Sequence, residues 1–114
     1  MNWYIAKLVF QIVNNSNMHQ FDEQLRIIKA ANYNEAIEKA LQIGRMDEDE
    51  FLNTENHKVL WKFKAITYLS HIQNMESGAE LCSQIIEKKP AERYLQTLDL
   101  KHNEITANLV AASN

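Results

Sequence analysis

Glycine, proline and cysteine are scarce in this chain of 114 residues, which has two glycines, one proline and one cysteine. Phosphate-binding loops and dinucleotide-binding fingerprints both need closely spaced glycines. Gly44 and Gly78 lie far apart, so both motifs are excluded. The single cysteine, Cys82, forms no disulfide within the chain, which fits a reducing compartment.

Long apolar runs and an excess of positive charge are also missing. No run approaches the roughly 18 residues that span a bilayer. The apolar N-terminal segment is interrupted by Lys7 and lacks the basic leader and cleavage site of a signal peptide. The net charge of −3 argues against a protein that coats nucleic acid or an anionic membrane. We therefore expect a cytoplasmic protein with no nucleic-acid partner and no membrane partner.

The chain does contain enough apolar residues for one core. Hydrophobic residues make up 46% and charged residues 24% of the sequence, as in an average globular protein. A chain of this length buries about two-thirds of its unfolded surface, so it can fold without disulfides or metal. We expect a single domain over residues 1–114, with a C-terminal helix from about residue 90 and frayed last residues.

Four segments have the alternating pattern of strands, near residues 3–13, 20–30, 58–69 and 79–88. In the first of them Tyr4, Leu8 and Phe10 share one face, which we expect to line the core. Residues 14–17 are asparagine and serine and predict a turn between the first two strands.

Two helices are predicted, near residues 33–43 and 91–100. Asn32 and Glu35 have the spacing of a capping pair at the start of the first helix. Gly44 follows its last apolar residue, where a left-handed C-terminal cap is common. The order of elements, ββαββα, predicts an α+β fold with helices packed on one face of an antiparallel four-stranded sheet.

Four consecutive acidic residues follow the first helix: Asp47, Glu48, Asp49 and Glu50. Asp47 and Glu50 repeat the capping spacing, so we predict a short helical turn at 47–53 that buries Phe51 and Leu52. The segment fails as a calcium loop, because Leu52 stands where such a loop needs glycine. Two interpretations remain, a solvated helix start and an acidic protein-binding patch.

Several segments together resemble a family of short bacterial proteins that is catalogued only as a domain of unknown function and is marked by a Trp-Tyr opening. These segments are the opening Trp3-Tyr4-x-Ala6-Lys7-Leu8, the helix with Glu35-Ala36 and Lys39-Ala40-Leu41, the strand Trp61-Lys62-Phe63, and Gly78-Ala79-Glu80-Leu81. The resemblance runs over roughly residues 3–88 and excludes the C-terminal helix. It supports the fold more than an activity, since the family has no assigned catalytic residues.

The residues predict no catalytic, cofactor-binding or metal-binding set. Metal ligands typically recur three or four positions apart, and the histidines are scattered: His19, His57, His71 and His102. Cys82 stands alone in a predicted strand, where cysteine is usually a small buried hydrophobe. In the strand at 58–69 the lysines and the aromatic residues fall on opposite faces, which argues against a base-stacking surface.

The strands at 3–13 and 58–69 carry large apolar side chains on both faces, although a sheet with helices on one side needs only one apolar face. The surplus set contains Trp3, Ile5 and Val9, together with either Trp61 and Phe63 or Leu60, Ile66 and Tyr68. A second copy of the chain, the C-terminal helix or a ligand would cover it. Our candidate interface of a homodimer is Trp3, Ile5, Val9, Trp61 and Phe63.

Two classes of function remain open. The first is a non-catalytic protein-interaction or regulatory module that acts as a homodimer through the sheet or binds a basic partner through the acidic patch. The second is a small-ligand-binding protein or weak enzyme with a pocket between sheet and helices, lined by Tyr4, Tyr68, Tyr94 or Cys82. The missing catalytic constellation favours the first class.

Overall fold

The computed structural model describes residues 1–15 and 19–113, with side chains up to Leu109. Its elements are β1 (Asn2–Val13), β2 (Gln20–Ala30), α1 (Tyr33–Met46), β3 (Asp49–Leu52), β4 (Lys58–Ile72) and α2 (Ala91–Ser113). Residues 1–83 form one compact unit and residues 84–114 form a second. The turn expected at 14–17 and the fraying expected at the C-terminus fall partly outside the described residues.

The four strands form one antiparallel sheet in the order β2-β1-β4-β3. With α1 and α2 this gives the order ββαββα, so the predicted α+β fold class is confirmed. β1 and β4 are the inner strands of the sheet, whereas β2 and β3 are its edges.

The core lies between α1 and the face of the sheet that we call the inner face. β1 places Tyr4, Leu8 and Phe10 on it, and the small residues Ala36 and Ala40 of α1 pack against them. Leu8 and Phe10 are the largest fully buried side chains. The period-two pattern of residues 3–13 therefore predicted both the strand and its buried face correctly.

β4 has apolar residues on both faces because two β-bulges interrupt its alternation. The register with β1 shifts at two points, where Thr67 and Lys64 are the extra residues. As a result four side chains of β4 pack against the core: Trp61, Phe63, Ile66 and Leu69. Leu60 and Tyr68 lie on the opposite, outer face, beside Val13 and Lys7 of β1. Of the two sets that the sequence left open, the pair Trp61 and Phe63 lies in the core. The other set is divided, with Ile66 in the core and Leu60 and Tyr68 on the outer face.

Our prediction for the fourth strand was wrong in its position. Residues 79–88 form no strand, and the short helical turn predicted at 47–53 is instead the strand β3, in which Phe51 and Leu52 are exposed. β3 pairs with β4 through a short connection in which Asn53 Oδ1 accepts hydrogen bonds from the backbone N–H groups of Glu55 and His57. Such a short connection costs little closure entropy. β3 therefore pairs with the edge of β4 at which a strand at 79–88 would have had to pair.

The start of α1 was predicted correctly and its end was not. Asn32 Oδ1 accepts a hydrogen bond of 2.9 Å from the N–H of Glu35, and Glu35 Oε2 accepts one of 3.0 Å from the N–H of Ala31. These contacts, the Ala31 N–H first and Lys39 second, hold the pKa of Glu35 below its ordinary value.

Gly44 is not a left-handed cap, because α1 continues past it to Met46. A Cβ atom on Gly44 would lie only 2.6 Å from the ring of Phe63. The glycine therefore allows the helix to approach the sheet closely, a reason that no local signal in the sequence reveals.

α2, in the second unit, runs without a break over Ala91–Ser113 and is longer than the predicted 91–100. Its large apolar side chains are exposed: Leu95, Leu98, Leu100, Ile105 and Leu109. Over the described part of the chain, neither helix combines the length and the apolar character needed to cross a bilayer.

Candidate functional site

A groove of about 640 Å³ opens in the first unit where α1 ends above the inner face of the sheet. Polar residues of β2, the acidic residues after α1, and aromatic residues of β3 and β4 line it: Asp22, Gln24, Arg26, Met46, Asp47, Glu48, Asp49, Phe51 and Trp61. Because α1 covers only one end of β2, this part of the inner face is left polar.

The alternation of β2 determines which of its residues line the groove. Ile28 and Ala30 are buried beneath α1, and strict alternation then places Arg26, Gln24 and Asp22 on the same face. The apolar residues between them consequently point away from the core. This reverses the usual arrangement, in which the apolar side of an amphipathic strand is buried.

A continuous hydrogen-bonded chain crosses the groove. The Arg26 guanidinium donates to Asp47 Oδ2 at 2.5 Å and, through Nη2, to Gln24 Oε1 at 2.7 Å. Gln24 Nε2 donates in turn to Asp22 Oδ2 at 2.5 Å. The indole N–H of Trp61 donates to the same Asp22 oxygen at 3.3 Å. The chain links both edges of the groove to the end of α1.

The aromatic wall of the groove comes from two strands. The rings of Phe51 and Trp61 are stacked, with their centroids 6.1 Å apart and their planes inclined by 26°. Trp61 also packs against the core. The wall is therefore fixed by both the sheet and the core.

The predicted acidic patch is divided in the structure. Asp47 caps α1 and pairs with Arg26, and a Glu48 carboxylate oxygen accepts from the backbone N–H of Phe63 at 3.2 Å. Asp49 lies in β3 at the groove, whereas Glu50 pairs with Lys58 at 2.8 Å. Three members of the patch therefore line the groove and the fourth belongs to the hairpin.

Carboxylates outnumber cations around this groove. Asp22, Asp47, Glu48 and Asp49 face a single guanidinium, that of Arg26. In chemical terms the groove offers acceptor oxygens beside a flat aromatic wall, an arrangement suited to an organic cation. Among the described residues no group of three His, Cys, Asp or Glu side chains is placed to hold a metal ion.

A second surface lies on the outer face of the sheet, along the edge strand β2. Three large apolar side chains there are exposed, Phe21 by 57%, Leu25 by 59% and Ile27 by 53%. We call these three residues the β2 patch. Beside them Lys7 pairs with Glu23 at 3.4 Å, and the ammonium of Lys29 lies 5.5 Å from the centre of the Trp3 ring.

The structure separates the predicted interface residues. Trp3, Ile5 and Val9 lie on the outer face beside β2, whereas Trp61 and Phe63 pack against the core on the inner face. Ile5 is only 3% exposed, so little of its side chain is available for contact with a partner. The sequence reasoning did not select the β2 patch, although its alternation with Asp22, Gln24 and Arg26 was the signal.

Of the tyrosines and the cysteine that we proposed for a pocket, those in the first unit do not meet at one site. Tyr4 is buried in the core, with its ring 6.4 Å from that of Tyr33 and 5.3 Å from the imidazole of His71. Tyr68 lies on the outer face of β4, and Cys82 is exposed. Tyr94 belongs to α2 in the second unit.

A four-stranded antiparallel sheet with one packed helix and a polar groove defines residues 1–83 as a compact α+β domain. These residues match the domain of unknown function DUF4288 over residues 3–83, and the chain belongs to that family. The match ends where the first compact unit ends, so α2 lies outside it. No curated protein and no solved structure matches the chain.

Proposed function

We propose that this chain is a non-catalytic protein-interaction or regulatory module that acts as a homodimer through the β2 edge of its sheet. The observation that carries the proposal is the β2 patch, three large apolar side chains exposed on one face of an edge strand. The proposal includes the bacterial origin that the family resemblance implies. It also includes a cytoplasmic location, where the exposed Cys82 stays reduced.

An edge strand is a natural place for a second chain to bind. Within the described residues β2 pairs with β1 on one side, and the N–H and C=O groups of its other side have no strand beside them. Long edge strands with exposed apolar side chains template further pairing. Strand addition uses these main-chain groups for affinity and alternate side chains for specificity.

The side chains of β2 are complementary to those of a second, antiparallel β2. When Arg26 lies opposite its counterpart, Glu23 faces Lys29 and Leu25 faces Ile27, and the twofold axis repeats both pairs. The Arg26 charges are already compensated, because each guanidinium is bound to Asp47 and Gln24. This register therefore places opposite charges and apolar side chains together.

The experiment measures the dimer dissociation constant by sedimentation equilibrium. Replacing both Leu25 and Ile27 by Glu should raise it by at least about tenfold, because each new carboxylate would then lie directly opposite one of the second copy, which is repulsive. Leu52→Glu is the matched control, an exposed leucine on the other edge strand, and should leave the constant unchanged. A wild-type chain that is monomeric at millimolar concentration, or a double variant that dimerises like wild type, would contradict the proposal.

The alternative function is that of a small-ligand-binding protein, and the groove beside Trp61 is the observation that favours it. Its carboxylates and aromatic wall suit an organic amine or guanidine. Calorimetric titration with spermidine tests this alternative. Binding that is lost in Asp49→Asn and retained in Glu76→Gln, an exposed glutamate outside the groove, would support it. Equal binding by both variants would exclude the groove as the site.

A further inference from the structure

β4 is longer than the strand that pairs with its outer edge. β3 pairs with residues 58–61 only, whereas β4 continues to Ile72. Within the described part of the chain, no strand lies beside residues 62–72 on the side away from β1. We call the main chain of residues 62–72 on this side the free β4 edge. Such an edge can pair with a further strand.

A groove of about 320 Å³ lies between α1 and the free β4 edge. A peptide that adds a strand to a sheet uses its main chain for affinity and places alternate side chains in pockets beside the edge. The groove provides such a pocket, with an apolar floor and a polar rim. Three half-buried apolar side chains and three exposed residues that carry hydroxyl groups line it: Ile37, Ile66, Leu69, Tyr33, Thr67 and Tyr68.

One main-chain donor of the free β4 edge is already bound by a carboxylate. Glu48 Oε2 accepts a hydrogen bond of 3.2 Å from the backbone N–H of Phe63. Glu48 immediately precedes β3, and Phe63 lies two residues beyond the last residue of β4 that pairs with β3. The carboxylate therefore stands where a carbonyl group of a longer partner strand would accept the same hydrogen bond.

The free β4 edge begins beside two lysines that lack an anionic partner. Lys58, which lies beside β3, pairs with Glu50 at 2.8 Å. Lys62 and Lys64 follow on the same strand and are exposed, and neither forms an ion pair with a carboxylate of the described residues. β3 thus supplies a carboxylate to the first lysine of the strand and leaves the next two unmatched.

We propose that the free β4 edge binds an extended acidic segment of a partner protein, which adds to the sheet as a strand in line with β3. Successive side chains of a strand point to opposite faces. The apolar side chains of the segment then lie on the inner face beside Ile66 and Leu69, and its carboxylates lie on the outer face beside Lys62 and Lys64. This site is at the opposite side of the sheet from β2, so it does not depend on the β2 dimer.

The test measures binding of a short, end-capped, fluorescein-labelled peptide of alternating valine and glutamate by fluorescence anisotropy. Replacing both Lys62 and Lys64 by Glu should raise its dissociation constant by at least about tenfold, because attraction becomes repulsion. The matched control combines Lys89→Glu with Lys101→Glu, two exposed lysines of the second unit with the same change in net charge, and should change little. Equal effects of the two double variants, or no binding by wild type at millimolar concentration, overturn the site.

Pairing through the main chain is tested on the peptide itself. Alternate residues of a strand direct their N–H groups to the same edge. Methylating the backbone nitrogen of every valine, or instead that of every glutamate, should therefore abolish binding in one peptide and preserve it in the other. Binding of both methylated peptides, or of neither, overturns strand addition.

The alignment of the segment with β3 is tested at Glu48. Glu48→Ala releases the Phe63 N–H and should lower the dissociation constant of the peptide by at least about threefold, because the incoming strand then makes this hydrogen bond without competition. Glu48→Gln is the matched control, since it removes the same charge and keeps an acceptor, and should lower the constant less. If Glu48→Ala binds no better than Glu48→Gln, the alignment is wrong.

The β2 substitutions separate this site from the dimer contact. The chain with Leu25 and Ile27 replaced by Glu should bind the peptide like wild type, because β2 and β4 present different edges. Loss of binding in that chain would place the peptide on β2 and overturn the proposal. If the Lys62 and Lys64 substitutions change the dimer dissociation constant and leave peptide binding unchanged, the free β4 edge binds a second copy and the acidic partner is wrong.

Discussion

The two helices of the chain differ in what covers their apolar side chains. α1 buries Ala36, Ala40 and Gly44 against the sheet of its own unit. None of the α2 side chains described up to Leu109 is buried. α1 is also the more strongly amphipathic of the two helices, in agreement with its burial on one side only.

The size of the covered residues makes the distinction. The buried residues of α1 are alanine and glycine, which let the helix backbone approach the large side chains of β1 and β4, and the half-buried Ile43 packs beside them. The large apolar side chains of α2 up to Leu109 are leucine and isoleucine, and they are exposed. α1 therefore packs small residues against the large side chains of the strands, whereas the large apolar side chains of α2 stay exposed.

The strongest way to break this comparison is to truncate one leucine in each unit. Leu8→Ala should reduce the free energy of unfolding of the first unit by about 2–5 kcal/mol, because Leu8 is fully buried and leaves a cavity. Leu100→Ala, in the second unit, should change the free energy of unfolding by less than about 0.5 kcal/mol, since Leu100 is exposed. Urea denaturation followed by circular dichroism measures both. Equal losses would contradict the division into a packed and a presented region.

The close approach of α1 to the sheet can be tested at Gly44. Gly44→Ala should cost about 1–3 kcal/mol, because the new methyl group meets the Phe63 ring and the helix or the ring must move. Combining it with Phe63→Leu should recover part of the loss, which a double-mutant cycle detects. Arg45→Ala, at the exposed neighbouring position, serves as the control. A fully additive cycle would show that the ring contact does not constrain the helix.

A smaller effect is expected at the start of α1. Asn32→Ala removes the side-chain acceptor for the Glu35 N–H and should cost about 1 kcal/mol of stability. Asn32→Asp keeps the acceptor and should retain most of the stability. Denaturation at neutral pH measures both substitutions. If the two variants lose the same amount, the cap makes no contribution through its oxygen.

The smallest expected effect is the acid sensitivity of the same cap. The lowered pKa of Glu35 stabilises the folded chain above the ordinary glutamate pKa, and this contribution disappears as the pH falls through the lowered folded value. The stability difference between wild type and Glu35→Gln should therefore shrink below about pH 4. A difference that stays constant down to pH 2 would contradict the assignment.

Local signals were sufficient for some parts of the fold and not for others. β1 and the start of α1 follow from alternation and from the Asn32–Glu35 pair, which act over a few residues. The identity of the fourth strand depends on which segment pairs with the outer edge of β4, and the short turn at Asn53 brings β3 to that edge. Alternation alone does not contain this information.

The groove was beyond prediction for a related reason. Asp22 and Asp47 lie far apart in the chain, and they meet only because β2 is in a particular register and α1 extends past Gly44. The sequence indicated the acidic residues but not Arg26, which binds one of them. Trp61 lies opposite Ile12 on the inner face whereas Trp3 lies on the outer face, and this division follows from strand pairings between segments far apart in the sequence.

The bulges of β4 make the curvature of the sheet independent of which side chains lie on each of its faces. Leu60–Ile72 spans thirteen residues, yet it faces the eleven residues of Trp3–Val13, so one strand is an arc longer than its neighbour. The surplus of about 6–7 Å of extended chain must be absorbed by bending. Deleting Thr67 would shorten that arc while leaving the inner and outer residues on their present faces. The sheet could thus be flattened or curled by single-residue deletions and insertions that leave the composition of its core unchanged.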